Sequence, residues 1–167
     1  LPIFESLALD PDGNVVVVGQ FTGTATFGTN VFTSAAGSQL FVAKFASTGD
    51  RWLWAKAFGG GGVNSANAVA VGARGSIYVA GQFSGSLTAG GATLNSASGA
   101  DVLVAKFDPQ GNWGWARSAG GSGLNDGANA LVLDSAENVY VTGQCSGAGA
   151  SFGTVTLNSA EIGRAHV

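Results

Sequence analysis

An internal period of 62 residues constrains this chain more than any other feature. Gly19-Gln20-Phe21 returns as Gly81-Gln82-Phe83 and again as Gly143-Gln144-Cys145. Val42-Ala43-Lys44-Phe45 returns as Val104-Ala105-Lys106-Phe107 in the same register, and Trp52-Leu53-Trp54 returns as Trp113-Gly114-Trp115 one residue short of it. A repeat of this length signals one supersecondary unit that buries its apolar surface against copies of itself. The 167 residues hold two whole units and part of a third, about 2.7 in all. The expected divisions are 1–62, 63–124 and 125–160.

Each unit reads as strands. In the second, Ala68-Val69-Ala70-Val71 is a short apolar run, and Gly72–Ser76 is a turn. Ile77-Tyr78-Val79-Ala80 is β-branched and aromatic, the composition of a strand. A Gly/Ser/Thr-rich connection of about twenty residues follows, with a small strand at Ala92-Thr93-Leu94. Then come Val102–Phe107, the turn Asp108-Pro109-Gln110-Gly111-Asn112, and Trp113–Arg117. That turn, like Asp10-Pro11-Asp12-Gly13-Asn14, has Pro to preset φ and Gly to accept a positive φ. No stretch carries a helical period with caps. The unit is therefore four main strands in two successive hairpins.

The strands also say how units pack. Val15–Val18, Ala68–Val71 and Val102–Ala105 are apolar on both alternating faces, so each sheet needs cover on both sides. Four-stranded sheets stacked face to face satisfy this, whereas solenoid coils and sandwich modules have other periods. The expected fold class is all-β: tandem four-stranded antiparallel blades of a β-propeller, incomplete. Composition fits, with 28 glycines among 167 residues and only 10 % charged residues, against about 25 % in an ordinary soluble domain. A net charge of −3 offers nucleic acid no basic surface. The longest apolar run, Val15–Val18, falls far short of the ~20 residues of a membrane-spanning helix.

Asn129-Ala130-Leu131-Val132-Leu133-Asp134 and Asn138-Val139-Tyr140-Val141-Thr142-Gly143 resemble the bacterial β-propeller repeat family often called SBBP. Asp101-Val102-Leu103-Val104-Ala105-Lys106-Phe107-Asp108 and Trp115–Gly121 match its later segments. The first unit departs from the pattern, with Val16 in the aromatic position and Ser38-Gln39 in place of Ala100-Asp101. The resemblance implies a secreted or cell-surface bacterial protein and no particular chemistry. Residues 161–167 break the repeat and resemble the translation of a sequencing-library adapter. They are read as a non-native tail, together with the only histidine, His166.

Candidate sites are few. The clusters Gly59–Gly62 and Gly120–Gly123 lack the Lys-Ser/Thr pair of a phosphate-binding loop and read as flexible connections between units. Asp10-x-Asp12-Gly13 lacks the closing Glu of a calcium loop. The four tryptophans, Trp52, Trp54, Trp113 and Trp115, suit either a sugar-stacking row or packing between units. Cys145 stands where Phe21 and Phe83 stand and reads as a small buried apolar residue. With no second cysteine, neither a disulfide nor a Cys/His metal or nucleophile arrangement is present. The connections entering the first strand of each unit carry Asn64, Asn67, Asn125, Asp126 and Asn129. These are the candidate ligand-binding residues, weighed against Asn and Asp side chains that merely brace their own loop.

The functional expectation is a non-catalytic repeat segment acting as a scaffold, adhesive or ligand-binding surface, with a protein or glycan partner and no cofactor. It would pack against further blades of a longer protein. The alternative is the propeller part of a secreted polysaccharide-processing enzyme whose active site lies elsewhere.

Overall fold

The computed structural model describes residues 1–122, 125–146, 149–152 and 155–157. Among them every regular element is a strand. The first unit contains β1 (Pro2–Leu9), β2 (Val15–Phe21), β3 (Thr24–Phe27), β4 (Asn30–Thr33), β5 (Gln39–Phe45) and β6 (Trp52–Phe58). They form a four-stranded antiparallel sheet, β1-β2-β5-β6, with β3 and β4 as a side hairpin. The second unit contains β7 (Ser65–Val71), β8 (Ile77–Ala89), β9 (Ala92–Phe107) and β10 (Trp113–Ala119), paired in chain order. In the third, β11 (Gly127–Leu133) pairs with β12 (Val139–Gln144), and β13 (Ala150–Phe152) with β14 (Val155–Leu157). The expected non-native tail, residues 161–167, lies outside the described residues.

The recurring Gly-Gln dipeptide has a steric cause. Each first strand carries a β-bulge against the second, between Phe4 and Ser6, Ala66 and Ala68, and Ala128 and Ala130. The bulge pushes a carbonyl over the glycine opposite it. A Cβ on Gly19, Gly81 or Gly143 would lie about 2 Å from the carbonyl oxygen of Ile3, Ser65 or Gly127. No other residue fits there.

Two readings change in the structure. The connection between the second and third strands of the first two units is a hairpin along its length, and the small strand expected at Ala92-Thr93-Leu94 is one arm of it. In the second unit β8 and β9 bend at a bulge between Ser84 and Ser86 and stay paired out to Ala89 and Ala92. Gly90 and Gly91 close it with φ of +60° and +81°. Its Leu87 and Ala89 are buried, as are Ala25 and Phe27 of the equivalent β3. The Gly59–Gly62 connection is close-packed rather than flexible: a Cβ on Gly60 would meet the Ser86 carbonyl at 2.2 Å. A Cβ on Gly62 would meet the Ser84 hydroxyl at 2.0 Å.

The sheets stack through faces related by the repeat. Val16, Val18, Leu40, Val42 and Phe58 of the first sheet bury against Ile77, Val79, Leu103, Ala105 and Phe107 of the second. The opposite face of the second, with Tyr78, Ala80 and Val102, buries against Ala128 and Leu131 of the third unit. The residues 62 positions on from Val16, Val18, Leu40 and Val42 are Tyr78, Ala80, Val102 and Val104, so one operation generates both interfaces. The first strands run side by side, β1 against β7 and β7 against β11. Trp113 bridges the first interface, its ring 4.3 Å from Phe107 and 4.9 Å from Phe58. A third aromatic cluster, Phe21, Phe27 and Phe41, lies where the β3–β4 hairpin folds over the outer face of the first sheet.

Candidate functional site

The candidate polar residues occupy two equivalent junctions, each where the fourth strand of one unit hands over to the first strand of the next. At the first, Asn64 is fully buried. Its Nδ2 donates to the carbonyls of Ser38 (2.6 Å), Gly62 (3.1 Å) and Gly60 (3.3 Å). The Ser38 hydroxyl donates to the Asn64 carbonyl and accepts from its amide, at 2.7 and 2.8 Å. Asn67 reaches across the stack instead, donating to the Ala128 carbonyl on β11 at 2.8 Å and accepting from Ser65. Both amide nitrogens serve backbone carbonyls, while the Asn64 Oδ1 is buried with no hydrogen-bond partner.

The second junction has the same layout and different chemistry. Asp126 stands one period after Asn64 and is also fully buried. It accepts from the amides of Gly121 (3.0 Å) and Ser146 (2.6 Å). Asn125 is exposed, its amide donating to the Ser146 hydroxyl at 3.0 Å. Asn129, equivalent to Asn67, is exposed too. The structure thus gathers Asn125 and Asp126 around Ser146, holds Asn64 at the other junction, and places Asn67 and Asn129 on the adjacent strands β7 and β11.

The structure adds Asp101, one period after Gln39, to this second junction. Only 5 % of Asp101 is exposed; one carboxylate oxygen accepts from the Ala97 amide at 3.3 Å, and the other has no hydrogen-bond partner. A Cβ placed on Gly120 would touch both carboxylates, Asp101 at 2.5 Å and Asp126 at 2.9 Å, so they are near neighbours. Burial pushes the Asp101 pKa up, and the Asp126 charge adds to the effect. Burial also raises the Cys145 thiol, with Asp126 and Asp101 contributing. A nucleophilic cysteine needs the reverse, a cationic neighbourhood that favours the thiolate. Both carboxylates are buried. The signal for Asp101 is legible in hindsight: the neutral pair Gln39 and Asn64 becomes an acidic pair one period on.

Beside this junction runs an apolar trough of about 420 Å³. Val102, Val104 and Trp115 form one wall, Val139 and Val141 the other, with Cys145 at the junction end. Arg117 lies at the rim, its guanidinium 5.9 Å from the Trp115 ring. Tryptophan packing accounts for the other indoles. Trp52 lies edge-on to Phe27 and Phe45, and Trp54 donates to the Pro109 carbonyl at 3.2 Å.

No protein-family model and no curated protein matches the chain. The site's chemistry therefore rests on its geometry alone. Among the described residues no three His, Cys, Asp or Glu side chains converge as a metal site.

Proposed function

We propose that the chain is a run of β-propeller blades serving as a non-catalytic scaffold or binding surface in a secreted or cell-surface bacterial protein. The observation that carries this reading is the stacking of consecutive sheets by one 62-residue operation, with their first strands side by side. Radial repetition of four-stranded sheets buries both faces and leaves only short protected edges, which the alternating apolar faces require. The resemblance to the SBBP repeats supports the same architecture and the bacterial surface location. Propellers commonly present ligands with the loops at one end of their sheets.

An electron-microscopy reconstruction of a chain carrying further repeats tests the architecture: the sheets should surround a central axis. An open, uncurved stack would refute it. A glycan and protein array probed with the same chain tests the role, with saturable capture of one ligand class expected and hydrolysis of any bound polysaccharide counting against it.

A further inference from the structure

We propose that Gly72, Tyr78 and Lys106 of the second unit form a socket for one acidic side chain of the unit stacked on it, Glu137, and that this socket selects which kind of unit can follow. The inference rests on the stacking of the repeated sheets and not on their closing into a ring.

The turns between β1 and β2, β7 and β8, and β11 and β12 share one backbone. In each, the first residue's amide donates to the carbonyl four residues on, and the fourth residue's amide donates to the first residue's carbonyl. The first residues are Asp10, Gly72 and Asp134, and the fourth are Gly13, Gly75 and Glu137, each one period apart. The fourth position is left-handed in all three, with φ of +78°, +82° and +61°. Glycine takes that conformation freely, whereas a glutamate there is strained. Such strain persists where the surrounding contacts outweigh it.

The contact that outweighs it crosses the boundary between units. In the first unit Lys44 finds its counter-ion at home, its ammonium 2.7 Å from Asp10. One period on, Lys106 has Gly72 where Asp10 stood. Its carboxylate comes from the next unit instead: Glu137 lies 3.7 Å from the ammonium. The Tyr78 hydroxyl donates to the same carboxylate oxygen at 2.8 Å, and Tyr78 stands where the first unit has Val16. Gly72 has an ordinary φ, so its backbone does not require glycine. The space does: a Cβ on Gly72 would meet the Glu137 Oε1 at 2.5 Å. Three departures from the first unit's pattern, at Gly72, Tyr78 and Glu137, thus meet at one carboxylate.

The socket discriminates in both directions. A following unit with glycine at the fourth turn position would leave Lys106 and the Tyr78 hydroxyl without their carboxylate. A surface of the first unit's kind, with aspartate in the turn, would meet a glutamate-bearing unit with overlap and like charge. The matched pairings are therefore Asp with Gly and Gly with Glu, and both mixed pairings are penalised.

Two substitutions in the full chain generate all four pairings. Gly72→Asp gives the like-charged mismatch, Glu137→Gly the empty socket, and the two together the first unit's scheme. Gly72→Asp should lower the urea midpoint of the parent and raise that of the Glu137→Gly chain, a reversal that an effect local to one turn does not produce. Any other combination would overturn the proposal. Should Gly72→Asp alone not fold, recovery of the fold on adding Glu137→Gly supports the socket, and failure to recover it overturns the socket. Tyr78 supplies a second readout. Burial pushes its phenol up, Lys106 pulls it down, and Glu137 pushes it up again. With Tyr140→Phe removing the other tyrosine, the ultraviolet titration of Tyr78 should move to lower pH in Glu137→Gly and return upward when Gly72→Asp is added. A titration indifferent to both would place the carboxylate elsewhere and overturn the proposal. The reversal in a chain whose reconstruction shows no ring would leave the socket standing and refute the propeller reading alone.

Discussion

At Asp10 burial disfavours the charge, yet hydrogen bonds from Lys44 and Asn14 outweigh it and hold the carboxyl below its ordinary range. At Asp101 burial meets no cation, and the neighbouring Asp126 charge adds to it, so the carboxyl moves up. The two residues therefore give opposite pH dependence. Asp10 contributes stability above the ordinary aspartate value of about 3.9, and the contribution is lost as pH falls through its lowered native value. Lys44→Met should cost about 3–5 kcal/mol at neutral pH by leaving that carboxylate buried and unpaired. Urea melts should show the cost shrinking once the pH passes below the Asp10 value. For Asp101 the native state holds its proton more tightly than the unfolded chain does, so stability falls as pH rises through the raised value. Asp101→Asn should gain about 1–3 kcal/mol at pH 8 by removing an unsatisfied charge. The gain should vanish below the ordinary aspartate range, and a melt that is unchanged at pH 8 would refute it.

At the scale of elements, much was legible because strand identity and register follow the period. The bulge glycines are its clearest mark, and they allow a matched pair of tests. Gly81→Ala drives a Cβ to within 2.0 Å of the Ser65 carbonyl, so it should destabilise the chain by about 1–3 kcal/mol or more. Gly61→Ala meets nothing within 4 Å at an ordinary φ, and its thermal midpoint should stay within a degree or two of the parent. Equal melts for the two would remove the steric account. Only one arm of the side hairpin, Ala92-Thr93-Leu94, was legible, since these strands are mostly Thr, Ser, Asn and Ala and bury only Ala25 and Phe27 in the first unit and Leu87 and Ala89 in the second. Only its docking on the sheet selects it. The trough was equally hidden, because its two walls come from residues far apart in the chain. Asn64 and Asp126 drew notice as loop polarity, which does not tell a brace from a ligand contact; their burial and backbone partners do.

On the scale of the whole stack, the outer faces of its first and last described sheets are complementary and apolar. At one end Leu7 and Leu9 are 66 % and 62 % exposed; at the other, Val132 and Tyr140 are 62 % and 49 % exposed. One period on from Leu7 and Leu9 are Val69 and Val71, which pack toward the first sheet, and one period before Tyr140 is the buried Tyr78. The operation that seats the second sheet on the first would thus seat the first sheet of one copy on the last of another. That contact is head-to-tail and open-ended, so the full chain should form a ladder of oligomers rather than a discrete dimer. Leu7→Lys charges one face and Tyr140→Lys the other. Each variant alone keeps a single competent face of one type and should sediment as a monomer. Mixed in equal amounts, they should form a one-to-one heterodimer that grows no further. Two variants that both still polymerise, or a mixture that stays monomeric, would show that the end faces are not the contact.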